Sequence, residues 1–203
     1  MFKKTVLLLL FAIPFTLSSS SKLDKKVKWV IRNTSWVDLN VPYQDGKTLF
    51  KMILKNKFKR ALDIGTSTGH SAIWIAWALS KTGGKLITIE INKRRYLKAL
   101  KNFKRARLSK YIDARLANAH HLVPRLKGKF DFVFVDADKV WYINYLKAMI
   151  PKLKKGGCFV AHNVSNTDMS GIREFLRYLK RLKTFKTTID RKSHAGMSIS
   201  CKQ

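Results

Sequence analysis

This 203-residue chain predicts an α/β fold, a largely parallel sheet with helices on both faces, and two observations carry that prediction. The first is the alternation of short apolar runs with helical periodicities from residue 61 onward. The second is the stretch Ala61-Leu62-Asp63-Ile64-Gly65-Thr66-Ser67-Thr68-Gly69-His70-Ser71, which joins a strand to a helix through a turn of two glycines and small hydroxyl residues. Glycine accepts positive φ and lets a ligand come close to bare amides, so the turn has the character of a nucleotide-type cofactor loop. With 46% hydrophobic residues the chain can fill one core and is short for two, so one domain is expected.

The first 21 residues stand apart from that domain. Lys3 and Lys4 precede an apolar run, Val6 to Leu17, and Ser18 to Ser21 follow it, which is the order of a secretory signal peptide or an N-terminal anchor. The run is short for a membrane span. Residues 1–21 are therefore set aside and the folded domain is expected over 22–203. The segment predicts an exported or membrane-anchored protein, and a cytoplasmic one if it is not used.

Leu23 to Val37 reads as an amphipathic helix outside the sheet, Pro42 as a break, and Lys47 to Asn56 as a helix with Leu49, Phe50, Ile53 and Leu54 on one side. The alternation then runs through strand Ala61–Ile64, helix Ser71–Ser80, strand Leu86–Glu90, helix Arg94–Arg107 and strand Ile112–Leu116. It continues with helix His121–Leu126, strand Phe130–Val135, helix Tyr142–Pro151, strand Cys158–Ala161 and helix Gly171–Lys183. Two closing strands, Phe185–Asp190 and Gly196–Cys201, have no helix between them, so one of them should run antiparallel.

Charge is the most unusual bulk property: 42 Lys and Arg against 12 Asp and Glu give a formal net charge of +30. Such a surface attracts phosphate-rich polymers and anionic membranes without naming a partner. The densest run, Lys93 to Lys110, carries its apolar residues Tyr96, Leu97, Leu100 and Phe103 at helical spacing. That is an amphipathic helix with a basic solvated face, and it argues against specific nucleic-acid binding. The two cysteines, Cys158 and Cys201, form no disulfide framework and have no metal-ligand spacing.

Chemistry concentrates at strand ends. Asp63, Glu90 and Asp136 each close an apolar strand, and ligands of open α/β sheets sit beyond those ends, so the three acids should converge on one crevice. Glu90 follows the glycine turn by about 25 residues, the place of a ribose-binding carboxylate. Phe130-Asp131-Phe132-Val133-Phe134-Val135 ends abruptly in Asp136-Ala137-Asp138-Lys139, and Cys158-Phe159-Val160-Ala161 ends in His162-Asn163. Imidazole and amide oxygen beside Asp136 would make a three-ligand divalent-metal site with open positions. Hydrogen bonding alone is the competing explanation for the His-Asn pair.

From about Val37 to the C-terminus these residues resemble the class I S-adenosylmethionine-dependent methyltransferases, and within them the catechol/caffeoyl-CoA-type O-methyltransferases, family 3. The most specific segment is Phe130 to Lys139, similar to that family's FDFVFxDADK signature. Asn40-Val41 with Gly46, the loop Ala61 to Ser71, Glu90, and Gly196-Met197-Ser198-Ile199-Ser200 resemble its other landmarks. The Asn/Asp-Pro-Pro-aromatic motif of amino-methylating enzymes is absent.

The resemblance implies a Rossmann-like seven-stranded sheet, mostly parallel with one antiparallel strand, and S-adenosylmethionine over the carboxyl ends of its first half. Asp63, Gly65, Ser67, Gly69 and Ser71, with Val41, would cradle the methionine part, Glu90 the ribose, and Asn118-Ala119 the adenine. Asp136 would face the methyl donor and bind a metal, and Lys139 would take the proton from the accepting hydroxyl. The implied acceptor is a small hydroxylated molecule, and a homodimer is implied as well. One departure stands out. The family usually places Asp-Asn where this chain has His162-Asn163, and imidazole there moves preference from Mg²⁺ toward Mn²⁺ or another transition metal, or abolishes the site. The segment Val164 to Ser170 is also short for a substrate loop. The closing strand would lie beside the strand of Cys158, which makes a Cys158–Cys201 bridge geometrically possible. The alternative to a working enzyme is an exported or membrane-associated protein of this fold that binds the cofactor with little or no turnover.

Overall fold

The computed structural model describes residues 21–36 and 39–203, so the signal-like segment, Ser21 excepted, lies outside the described residues. The helices are α1 (Lys22–Arg32), α2 (Tyr43–Asn56), α3 (His70–Thr82), α4 (Lys93–Arg105), α5 (Ala119–Arg125), α6 (Tyr142–Met149) and α7 (Ile172–Arg181). The strands are β1 (Arg60–Ile64), β2 (Lys85–Glu90), β3 (Ile112–Leu116), β4 (Phe130–Val135), β5 (Leu153–His162), β6 (Phe185–Asp190) and β7 (Met197–Lys202). They form one sheet in the order β3-β2-β1-β4-β5-β7-β6. The pairs from β3 through β5 are parallel, and β7 runs antiparallel to both β5 and β6. The chain reverses direction of travel across the sheet between β1 and β4, and the carboxyl ends of these two strands open the crevice that such a switch creates.

β4 is buried along its whole length because both faces of the sheet are covered. Phe132 and Phe134 pack toward α1 through α4, whereas Val133 and Val135 pack toward α6 and α7. The period of two thus splits one apolar run between two cores. α3 is buried from His70 to Leu79, between the sheet and α2, which explains a helix apolar nearly all round. Gly46 sets the α2–α3 distance: a Cβ there would collide with the Trp74 indole. That close approach carries the neighbouring Asp45, only 1% exposed, into the interior.

Several expected boundaries move. The first helix ends at Arg32 rather than 37, where Asn33 caps it and Asn33-Thr34-Ser35 offers poor helix formers. Ser21 begins it with a capping box, its hydroxyl accepting from the Asp24 amide at 3.1 Å. In α4 the expected apolar stripe is corrected: Leu97 and Leu100 are 47% and 37% exposed, and the buried face is Ala99, Asn102 and Phe103. The small Ala99 lets the helix press against the loop at Gly69, and the Asn102 side chain donates to the Thr68 carbonyl at 2.9 Å. β5 is longer than predicted because Leu153 also pairs, with Phe130, before an irregularity after which the register resumes at Phe132 and Cys158. Cys158 and Cys201 lie directly opposite in the β5–β7 register and form a disulfide.

Candidate active site

The β1–α3 turn is shaped by two glycines and one strained residue. Gly65 has φ +99°, and a Cβ on it would strike the Asp136 carbonyl oxygen, so only glycine fits where this turn meets the end of β4. Ser67 also sits in the left-handed region, at φ +49°. Four of the turn's amides are spent internally rather than left bare. Those of Gly65 and Thr66 donate to the Ile89 carbonyl (3.0 and 3.1 Å), that of Ser67 to Glu90 Oε2 (2.7 Å), and that of Gly69 to the Thr66 carbonyl (2.9 Å).

Glu90 is fixed from both sides, since Oε1 accepts from the Asn92 amide at 2.8 Å. Each oxygen keeps a lone pair for a hydroxylated ligand. Asp63 lies fully buried beneath the turn, accepting from the Thr88 hydroxyl at 2.7 Å and the Ser71 hydroxyl at 3.3 Å. Burial, aided by the charges of Asp136 and Glu90, outweighs those hydrogen bonds and pushes its carboxyl up to about 7. Val41 is held from behind by His70, whose Nδ1 donates to the Val41 carbonyl at 2.8 Å and whose Nε2 accepts from Trp74 at 3.1 Å. Burial pushes the His70 imidazole down to about 4, so the ring is neutral.

A cleft of about 600 Å³ opens over these strand ends. Gly65, Ser67, Glu90, Asn118, Ala119, Asp136, Lys139, His162 and Asn163 line it, and Val41, Asp63, Gly69 and Ser71 stand behind its wall. The size falls within the range of about 300–1,000 Å³ common to small-molecule sites. Asn118 also caps α5, accepting from the His120 amide at 2.8 Å. His120 stacks on Trp141, ring centroids 3.8 Å apart, and with Tyr145 makes an aromatic wall on that side.

At the ends of β4 and β5, Asp136, Lys139 and His162 join Asp45 of α2 in a chain of four ionisable groups. Lys139 Nζ lies 2.5 Å from Asp136 Oδ1, and His162 Nδ1 lies 3.0 Å from Asp136 Oδ2. His162 Nε2 is 2.8 Å from Asp45 Oδ2, which also accepts from the Ser193 hydroxyl at 2.6 Å. Burial alone would lower the His162 value, but hydrogen bonds and charge from Asp136 and Asp45 outweigh it and hold the imidazolium up to about 9. Burial likewise works against the Asp136 carboxylate, and His162 and Lys139 outweigh it to hold the group below the usual carboxylate range. The Tyr142 hydroxyl, 3.1 Å from the carbonyls of both Val135 and His162, ties the two strand ends together.

The expected ligand set Asp136, His162 and Asn163 does not fit a divalent cation in this arrangement. Both Asp136 oxygens are in ion pairs, and both His162 nitrogens face carboxylates, so the ring presents protons rather than a lone pair. Among the described residues no group of three His, Cys, Asp or Glu side chains is arranged to hold a metal. Sequence reading missed Asp45, Ser193, His120, Trp141 and Tyr145. Asp45 gave no local signal, because it lies in a helix 117 residues from the histidine it binds.

Comparison with known proteins points one way. The sequence matches the O-methyltransferase family over residues 16–171, more than half of the chain. It is 35% identical over 130 residues to a catechol O-methyltransferase of Niastella koreensis, covering 62% of this chain and 58% of that protein's length. It is 29% identical over 170 residues to caffeoyl-CoA O-methyltransferase 1 of Eucalyptus globulus, covering 77% and 68%. Among solved structures, the O-methyltransferase TomG of Streptomyces achromogenes, in complex with S-adenosylmethionine, superimposes with a TM-score of 0.73 at 25% identity, covering 93% and 92% of the two chains. An O-methyltransferase of Bacillus cereus in complex with S-adenosylhomocysteine gives 0.74 at 24% identity, covering 93% and 94%.

Proposed function

This chain belongs to the O-methyltransferase family, and from that premise we propose that it transfers a methyl group from S-adenosylmethionine to a hydroxyl oxygen of a small molecule. The observation that carries the reading is one cleft in which a fixed ribose-type carboxylate, Glu90, and a lysine–aspartate pair, Lys139 and Asp136, face the same space. When bound, S-adenosylmethionine supplies a methyl group activated by a positively charged sulfur.

The chain's own residues do the rest. Glu90 would accept from the ribose hydroxyls, and Asn118, Ala119 and His120, the last backed by Trp141, would flank the adenine. Gly65 and Ser67 give the methionine part a close floor. Val41, Asp63, Gly69 and Ser71 act from behind by fixing the shape of the turn. Lys139, once it has released its own proton to solvent, takes the proton from the acceptor hydroxyl on Nζ, and Asp136, 2.5 Å away, stabilises the ammonium that re-forms. Most of the acceleration comes from alignment of oxygen and methyl carbon, which groups fixed along one continuous cleft provide. The acceptor enters over Leu39, Ile91 and Met169, exposed apolar residues at the mouth of the cleft, which suit a small, partly apolar hydroxylated molecule such as a catechol.

Calorimetry with S-adenosylmethionine, followed by a radiolabelled methyl-transfer assay on a panel of catechols and hydroxycinnamoyl thioesters, tests the proposal. Saturable binding and a methyl ether product are expected; absence of binding overturns the reading.

A second reading draws support from the Cys158–Cys201 disulfide together with the signal-like run Val6 to Leu17. Bridges of this kind persist in oxidising compartments. In this reading the protein is exported or membrane-attached and holds the cofactor with little turnover. Saturable binding with no product on any acceptor of the panel favours it, and efficient turnover excludes it.

A further inference from the structure

The buried chain Asp45–His162–Asp136–Lys139 has a role that the methyl-transfer reading alone does not assign. We infer that this centre works without a divalent cation: His162, hydrogen-bonded at both ring nitrogens between Asp45 and Asp136, supplies from the protein the positive charge that a metal would bring. The inference rests on the proposed function for its meaning and on the geometry for its content.

Three features of the geometry converge. Formal charge closes within the cluster, because two carboxylates meet one imidazolium and one ammonium, and a buried carboxylate pair without such partners would be strongly unfavourable. Both Asp136 oxygens and both His162 nitrogens already have a partner within the cluster. Asp136 offers one oxygen to Lys139 and the other to His162, while the same Asp45 oxygen accepts from His162 and from Ser193. Position is fixed as well, since His162 is 2% exposed at the end of β5 and its own carbonyl accepts from Tyr142. A metal entering here would have to displace an imidazolium wedged between two carboxylates and would then sit beside Lys139.

His162 is thus a positioning residue. With both ring protons engaged it does not touch the acceptor; it orients the Asp136 carboxylate so that the opposite oxygen remains aimed at Lys139. Asp45, brought in by the α2–α3 contact at Gly46, completes the clamp from the far side.

Mn²⁺ added to the purified full chain, followed through the electron paramagnetic resonance signal of the free ion, tests the inference. The unmodified chain is expected to show no saturable site, and its methyl transfer is expected to persist in EDTA. His162→Asp, which exchanges the cation for a third carboxylate beside Asp45 and Asp136, is expected to bind Mn²⁺ at least about tenfold more tightly than the unmodified chain. If that variant does not fold, His162→Gln removes the charge without adding one and is expected to gain Mn²⁺ binding in the same direction. Stoichiometric Mn²⁺ binding by the unmodified chain overturns the inference. So does loss of transfer in EDTA that Mn²⁺ restores, or a folded His162→Asp protein that binds no more tightly. Failure of the methyl-transfer reading is read separately, as absence of cofactor binding, and leaves the Mn²⁺ measurement decisive for the clamp.

Discussion

The two halves of the cleft are built by different means. On the β1–β2 side, the turn 65–69 and Glu90 are fixed mainly by backbone amides and carbonyls close in the fold, with one carboxylate placed by two N–H donors. On the β4–β5 side, side chains from four separate places in the chain hold one another through ion pairs. The first arrangement makes a seat whose shape depends little on charge. The second makes a reactive edge whose geometry depends on every proton in the cluster, so the proposed chemistry belongs to one half and the proposed cofactor retention to the other, while titration near neutral pH touches the seat as well, through Asp63 at about 7.

The sharpest way to break this division is Lys139→Met. It is expected to lower kcat by about 10²- to 10⁴-fold while calorimetry finds the affinity for S-adenosylmethionine unchanged. Parallel loss of both would mean that the lysine supports the seat as well as the edge. Asp45→Asn should come next, costing on the order of 3 kcal/mol in urea unfolding, because it strips one partner from a buried ion pair. Its effect is tied to pH. The folded-state value of His162 is raised from 6.5 to about 9, so its stabilising contribution is complete below pH 6.5 and is lost as pH rises through about 9. Unfolding curves of the unmodified protein should record that loss over this window, and in Asp45→Asn the loss should be smaller and end at lower pH. A pH-independent difference between the two proteins would mean that the imidazolium is not what Asp45 stabilises. The smallest effect is expected from Glu90→Ala, which should weaken cofactor binding by about 1.5–3 kcal/mol and spare kcat at saturating cofactor.

Legibility in the sequence followed the same divide. Gly65, Ser67 and Glu90 were readable because a strand, a glycine turn and an acid at the next strand's end are local patterns with local causes. The sheet was readable for a similar reason, the apolar runs at β1, β2 and β4 being unbroken and bounded by turns. The role of His162 was not readable. As a strand-end imidazole it fits metal ligation and hydrogen bonding equally well, and Asp45 and Ser193, which decide between them, approach it only through tertiary packing. The face of α4 was misjudged because hydrophobicity pointed to Leu97 and Leu100, whereas close packing against the Gly69 turn selected the small Ala99 and the hydrogen-bonding Asn102.

Gly65 and the Asp136 carbonyl press against each other with no space for even a methyl group. The floor under the proposed donor's seat and the floor under the reactive edge therefore meet as touching main chain, both open to one cleft. A side chain added at Gly65 would push the end of β4 away, so the seat cannot be remodelled there without disturbing the edge. Divergence in what such a protein accepts has to be sought at the open mouth, where Leu39, Ile91 and Met169 face solvent and can change without moving that contact.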